Sequence, residues 1–255
     1  MEKFVALYDL HYGYERKNGH KVALHDSKAL DIALAFMKDF KPDHVILGGD
    51  ILDCGCISHH NHGKPGATEG FRLMGDAKEL KAALIDHIDA LKPKSKTYIV
   101  GNHEDWLTDL VEQIPALEDI IDVKSLLALD DKWKVTPQGG VHKLGKLIFM
   151  HGDQIKGGEH SAKWGTVAYE GNVRFGHHHT YQVYTKTSPF DANGHTGYAV
   201  PCLCRKNPNY GGGSPNRWMQ GFLWGYVNSD GTFSDYVSTI TNGRATINGK
   251  EYKGK

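Results

Sequence analysis

No stretch of this sequence has the roughly 18 or more consecutive apolar residues that a membrane-spanning helix needs, so the reading carries no membrane partner. The opening segment Met1-Glu2-Lys3-Phe4-Val5-Ala6-Leu7 lacks the long apolar core of a secretion signal and runs straight into strand-like sequence. Cysteine is scarce, with four residues in two Cys-x-Cys pairs, Cys54/Cys56 and Cys202/Cys204. Structural zinc sites usually space their cysteines more widely. The expectation is reduced, half-buried thiols in a cytoplasmic protein. Net charge is absent too: 30 basic residues balance 30 acidic ones, which argues against a basic nucleic-acid-binding tail but leaves room for a local basic groove. There is no internal repeat and no interdomain linker, so the 255 residues are expected to form one domain, 1–255.

What the chain does have is histidine, 16 of them, in clusters along the sequence. Histidine is the commonest side-chain metal ligand. The clusters fall where short apolar runs end. Phe4–Tyr8 ends in Asp9-Leu10-His11. His44–Leu47 ends in Gly48-Gly49-Asp50-Ile51-Leu52-Asp53. Thr97–Val100 ends in Gly101-Asn102-His103-Glu104, Leu147–Met150 in His151-Gly152-Asp153, and Asn172–Phe175 in Gly176-His177-His178-His179. Between these runs, Asp26–Asp39 and Glu69–Leu91 have helical periodicity. Helical pieces are also expected at Trp106–Ile114 and about Leu117–Leu129, on either side of Pro115. After His179 the pattern turns to strands at Tyr181–Thr187, Gly197–Leu203, Gly221–Val227 and Phe233–Ile240, with a hairpin around Asn248-Gly249.

Strands followed by helices place ligands at the C-terminal ends of the strands. Five strand ends here offer carboxylate, amide oxygen or imidazole nitrogen. Asp-x-His and His-x-His set both side chains on one side of an extended backbone, where they can share an ion. This donor mixture suits manganese, iron, zinc or nickel better than calcium or magnesium.

The series Asp-x-His, Gly-Asp-x-x-Asp, Gly-Asn-His-Glu, His-Gly and Gly-His-x-His resembles, in order and complete, the calcineurin-like metallophosphoesterase superfamily. Its motifs run from Asp9 to His179. The resemblance implies an α/β, four-layer αββα sandwich with two mixed β-sheets and a dinuclear metal site at the strand C-terminal ends. It implies that Asp9, His11, Asp50 and His179 surround one metal, and that Asp50, Asn102, His151 and His177 surround the other, with Asp50 bridging. The cofactors expected are two divalent transition-metal ions, manganese first, with iron, zinc or nickel as alternatives. His103 is expected to face the substrate phosphate and protonate the leaving group, and Asp53 to orient His103.

The chemistry explains the residue types. Two metals roughly 3.5–4 Å apart clamp the attacking and leaving oxygens of an in-line displacement and acidify a water between them into a hydroxide nucleophile. A neutral Asn102 limits the negative charge that meets an anionic phosphate. A carboxylate beside His103 favours its charged, proton-donating form.

Other polar residues have ordinary explanations beside functional ones. His178 is expected to point away from its neighbours, and Glu104 to serve as a helix-start acid or to support a ligand. His59, His60 and His62 lie on a loop after the Asp50 motif, and His59 is a candidate substrate contact. Arg205, Lys206 and Arg217, with Tyr210 and Trp218, form a glycine-rich loop that could hold phosphate charge and stack a base. The reading is therefore a metal-dependent phosphoester hydrolase, leaning to phosphodiesterase or nuclease, with a nucleotide or nucleic acid as the substrate class. Its alternatives are a phosphomonoesterase, a protein phosphatase, or a non-catalytic scaffold on the same fold. The sequence leaves oligomeric state open.

Overall fold

The computed structural model of the protein describes every residue except 18, 62 and 209–215, and leaves aside the side chains of 17, 67 and 191–193. The described strands, in chain order, are β1 (Glu2–Leu7), β2 (Tyr14–Lys17), β3 (His20–Ala23), β4 (His44–Leu47), β5 (Ser95–Ile99), β6 (Trp133–Thr136), β7 (His142–Leu144), β8 (Leu147–Met150), β9 (Asn172–Phe175), β10 (Gln182–Ser188), β11 (Asp191–Ala199), β12 (Gln220–Val227), β13 (Phe233–Ile240), β14 (Arg244–Ile247) and β15 (Lys250–Lys253). They build two mixed sheets. One is six-stranded in the order β13-β12-β1-β4-β5-β6, with β1, β4, β5 and β6 parallel. The other is five-stranded in the order β10-β11-β9-β8-β7, with β11, β9 and β8 parallel. β2–β3 and β14–β15 are separate hairpins.

Side-chain alternation along the strands stacks these sheets into four layers. Phe4, Ala6 and Ile46 of the first sheet meet Leu147 and Phe149 of the second in one apolar cluster. Their neighbours Val5, Leu7, Val45 and Leu47 point the other way, into a larger cluster with the helices. The helix Ser27–Phe40 lays Ala29, Leu30, Ile32, Ala33, Phe36 and Met37 on that face. Asp26 caps it by accepting the Ala29 N–H at 3.1 Å, and Lys41 ends it in a left-handed turn. On the outer face of the second sheet, Met150, Val173 and Phe175 pack with Ile155 and Ala199. The helix Ser161–Tyr169 covers this side, its Gly165 lying close to Ile155, Phe175 and Val173.

Arg174 alternates with Val173 and Phe175, and so points between the sheets. It is fully buried and pairs through Nε and Nη2 with Asp235 on β13. Its Nη1 donates to the carbonyls of Val173 at 2.9 Å and Thr196 at 2.7 Å, and the Tyr198 ring lies 3.9 Å from the guanidinium. The pair ties one sheet to the other.

Several expected boundaries move. The helix expected from Trp106 begins at Asn102, because Gly101 caps it and Glu104 at its third position accepts the Gly101 N–H at 2.9 Å. The helix expected over Glu69–Leu91 begins at Leu73, after Gly70 takes φ +82°, and a π-helical turn interrupts it at Lys81–Ile85. Only one α-turn, Val123–Leu126, forms within Leu117–Leu129, since Asp119 and Ala128 both adopt positive φ. The strand expected at Gly197–Leu203 instead runs Asp191–Ala199, and Pro201, with no N–H to donate, lies beyond its end. The β2–β3 hairpin, β6, β7 and the helix Ser161–Tyr169 had no counterpart in the sequence reading.

Removing one partner of the Arg174–Asp235 pair strands a buried charge. Asp235→Ala is expected to lower stability by about 3–5 kcal/mol in urea unfolding, and Arg174→Met with Asp235→Leu to recover most of that loss. Equal destabilisation by the single and double variants would contradict the pair as the source of the cost.

Candidate metal centre

The C-terminal ends of β1, β4, β5, β8 and β9 meet at the seam between the sheets, and with them Asp9, His11, Asp50, Asn102, His151, His177 and His179. Asp9, Asp50, His11, His151 and His179 are buried. The pairs do not use strand alternation to face one another, as the sequence reading had it. Asp9, His11, Asp50, His177 and His179 all lie past their strands in the left-handed region, with φ of +50°, +47°, +51°, +63° and +55°. Non-glycine residues rarely adopt that conformation, and its cost is held in place here by hydrogen bonds from neighbouring strand ends.

Three carboxylates, Asp9, Asp50 and Glu104, are gripped by backbone N–H groups of another strand end, while Asp53 accepts from Gly55 in its own loop. Both Asp9 oxygens accept from the His177 N–H, at 3.0 and 2.9 Å. Asp50 Oδ1 accepts from the His103 N–H at 2.9 Å, in the first turn of the Asn102–Gln113 helix, where the helix dipole favours an anion. Glu104 takes five donors. Oε1 accepts from the Ile51 and Leu52 N–H groups and the Tyr98 hydroxyl at 2.7, 3.0 and 2.7 Å. Oε2 accepts from the Asp50 and Gly101 N–H groups, each at 2.9 Å. The motif glycines make room for this. A Cβ on Gly101 would sit 2.2 Å from Asp50 Oδ1, and one on Gly176 would sit 2.4 Å from Asp9 Oδ2.

The imidazoles are oriented the same way. His151 Nδ1 faces the Gly48 carbonyl at 3.1 Å, and His11 Nδ1 faces Asp53 Oδ1 at 3.1 Å. With these nitrogens as donors, both Nε2 atoms are left bare and aimed inward. His11 Nε2 comes within 3.2 Å of His179 Nε2 and 3.8 Å of Asp50 Oδ2. His151 Nε2 lies 3.0 Å from Asn102 Oδ1 and 3.3 Å from Asp50 Oδ2. His177 Nδ1 also reaches Asn102 Oδ1 at 3.0 Å. Asp50 Oδ2 thus stands between two groups of donor atoms. Among the described residues, His, Asp and Cys ligand atoms cluster as Asp9–His11–Asp50, Asp50–His151–His177, His11–His179–Cys204 and His11–Asp53–His103.

Lone pairs facing lone pairs and carboxylates need a cation between them. Four carboxylates are buried here, Asp9, Asp50, Asp53 and Glu104. Against burial, the Asp50 carboxylate pushes His151 up to about 10, so that without a metal a proton on its ring takes the place a cation would fill. Burial, with His151 alongside, holds His177 down to about 4. The donor set therefore fits a divalent metal by its chemistry. His103 sits at the open edge, its side chain 20% exposed against 3% for Asp50. Its Nδ1 faces the Asp53 carbonyl at 2.8 Å and the Asp53 carboxylate at 3.4 Å, and its ring packs on Trp106 at 4.2 Å. Against burial, Asp50 and Asp53 push His103 up to about 10.

The residues named as substrate contacts are not brought together. His59 packs edge-on against Trp106 at 5.8 Å. Arg205 donates to the Ala23 carbonyl at 2.9 Å, and Arg217 pairs with Glu159 at the surface. Tyr210 and His62 lie outside the described residues. Trp218 approaches the His179 ring at 4.1 Å. His178 turns away, to the Ile155 carbonyl at 3.0 Å. Sequence reasoning missed Cys204, which is buried with Sγ 3.9 Å from His179 Nδ1. Nothing in a Cys-x-Cys pair signals that contact. A cleft of about 590 Å³ opens from Asp53, Asn102 and His103 toward the β2–β3 hairpin, and neither Arg205 nor Arg217 lines it.

The family model described as calcineurin-like phosphoesterase matches residues 3–203. Among solved structures, the chain is similar to Vps29 from Chaetomium thermophilum, at 10% identity and TM-score 0.49, with 100% of both chains covered. It is also similar to YfcE, a phosphoesterase from E. coli, at 15% identity and TM-score 0.42, covering 92% of this chain and 98% of that one. A dimetal phosphatase from Danio rerio is similar at 11% identity and TM-score 0.45, covering 92% and 95%. No curated protein matches the chain.

Glu104→Gln replaces one of the two accepting oxygens with an NH₂ group, so at least two donors lose their acceptor. At about 1–3 kcal/mol each, the cost is expected to be about 2–6 kcal/mol, read by denaturant unfolding. A loss under about 1 kcal/mol would show that Glu104 does not hold the two strand ends together.

Proposed function

The chain belongs to the calcineurin-like phosphoesterase family, and on that premise we propose that residues 1–255 act as one catalytic domain hydrolysing phosphodiesters with two divalent metal ions. β12 and β13 lie beyond the matched segment yet complete the six-stranded sheet beside β1, which supports a single unit. The observation that carries the reading is the gathering of Asp9, His11, His151 and His177 around Asp50, with His179 against His11, Asn102 against His151 and His103 at the edge. Asp9, His11, Asp50 and His179 would hold one ion; Asp50, Asn102, His151 and His177 would hold the other. When bound, the ions supply charge that acidifies a water and draws in the phosphoryl oxygens.

The chain's own residues do the rest. Asp53 offers its carbonyl to His103 Nδ1 and its carboxylate to His11, which fixes both rings from one residue. His103 Nε2 is then turned toward the metal-facing side, 4.0 Å from Asp50 Oδ2. The two carboxylates favour its protonated form, so it can donate to a departing oxygen. Asn102 contributes a neutral oxygen beside the anions. A non-catalytic scaffold would not require every donor position to be filled or His103 to be held at an open edge. The diester preference draws on the open cleft beside His103, which has room for a second substrate arm. His59, Arg205 and Arg217 stay as proposed contacts of an outer substrate arm, and manganese as the proposed metal. Among the described residues no helix is long and apolar enough to cross a membrane.

Chelation is expected to abolish turnover of bis-p-nitrophenyl phosphate, and manganese to restore it. His103→Ala should retain metal and lower kcat by about 10²–10⁴-fold for esters with poor leaving groups, and by less for p-nitrophenyl esters. An equal loss for both would contradict proton donation by His103.

A further inference from the structure

The cleft beside His103 has walls that the metal chemistry does not use. At about 590 Å³ it falls within the usual range of small-molecule sites, about 300–1,000 Å³. Asn102 and His103 form its inner end, and Tyr14, Phe71 and Trp106 are among the residues that line it. Asn102, His103 and Trp106 share one helix at spacings of three and four residues, so they lie along one face. Phe71 and Trp106 are nearly buried, which makes them fixed walls. The charges of Lys21, 3.7 Å over Tyr14, and Arg16, 5.7 Å over Phe71, steady the Tyr14 and Phe71 rings. Asn61 also lines the cleft. Its amide nitrogen donates to the Gly55 carbonyl at 2.7 Å, and its carbonyl oxygen remains an acceptor.

The position of the cleft sets what enters it. In an in-line displacement the departing oxygen is the one His103 protonates, so the group attached to that oxygen extends past His103 and away from the buried donors. We propose that this cleft binds the leaving group of the diester, and that the leaving group is a nucleoside whose base lies among Tyr14, Phe71 and Trp106. Flat rings suit a base, and the Asn61 acceptor suits a base edge. An aliphatic alcohol would gain little from either. The proposal rests on the phosphodiesterase reading and adds the substrate class and the residues that select it.

The test compares formation of thymidine 3′-phosphate from thymidylyl-(3′→5′)-thymidine and from thymidine 3′-(ethyl phosphate), a product that appears only when the 5′-linked thymidine or the ethanol is the group that leaves. The manganese-loaded enzyme should favour the dinucleotide in kcat/KM by about 10-fold or more. Tyr14→Leu with Phe71→Leu should reduce that ratio about 10-fold, while Tyr14→Phe keeps it. A second readout needs no metal: saturation-transfer NMR of thymidine with the metal-free protein should give a signal that the double variant loses. Turnover of bis-p-nitrophenyl phosphate without preference between the thymidine esters would overturn the nucleoside cleft and leave the phosphoesterase reading intact. A preference abolished by Arg205→Ala with Arg217→Ala, and kept by the double leucine variant, would place base recognition on the other loop. Failure to cleave any of the three diesters would overturn both.

Discussion

A single buried carboxylate, Glu104, sets the geometry on which the centre depends. Its oxygens collect three successive N–H groups at 50–52, a fourth from Gly101 and the Tyr98 hydroxyl. Asp50 can turn into the left-handed region because the N–H groups that turn exposes are all accepted. That turn aims the Asp50 carboxylate at the centre, where the next strand end takes hold of it through the His103 N–H. Asp9 and His177 repeat the device between β1 and β9. The strand ends of two sheets are thereby fastened through anions, and the repulsion among those anions is what makes the space between them suited to cations.

The proposed function then follows from which donors stay buried and which one does not. The imidazoles at 11 and 151 are locked by their outer nitrogens and offer only the inner one. His103 is locked similarly but sits at the rim, on the same helix as Asn102 and Trp106. In the proposed reaction one helix therefore carries a neutral oxygen for the centre, a proton donor for the departing oxygen and a wall for the group that leaves. Its first turn also supplies the N–H that holds Asp50. Changes to its N-terminus act on structure and chemistry together.

Much of this was legible because the motifs close apolar strands whose boundaries were plain: His44–Leu47, Leu147–Met150, Asn172–Phe175 and Phe233–Ile240 form as their patterns imply. The reason given for the paired ligands was not the operating one. Alternation along a strand suggested that positions 9 and 11 share a face, whereas the backbone turns left-handed at both. Periodicity carries no signal for such turns. It also missed the β2–β3 hairpin, whose strands Tyr14–Lys17 and His20–Ala23 are rich in charge. Gly165 and Thr166 hid the helix Ser161–Tyr169, since both are poor helix formers that serve close packing there. Nothing in the sequence pairs Arg174 with Asp235; only the stacking of the sheets shows that they face each other. Long-range partners of this kind are set by tertiary contacts far apart in sequence. The cleft beside His103 is a further case, because it lies between a hairpin and a helix that no local pattern brings together.

The account stands most directly on where metal binds. Diffraction from crystals grown with manganese, recorded at the manganese absorption edge, would locate the ions without reference to activity. Two anomalous peaks roughly 3.5–4 Å apart are predicted, one among Asp9, His11, Asp50 and His179 and the other among Asp50, Asn102, His151 and His177. A single peak among His11, Asp53 and His103, or none within reach of Asp50, would contradict it.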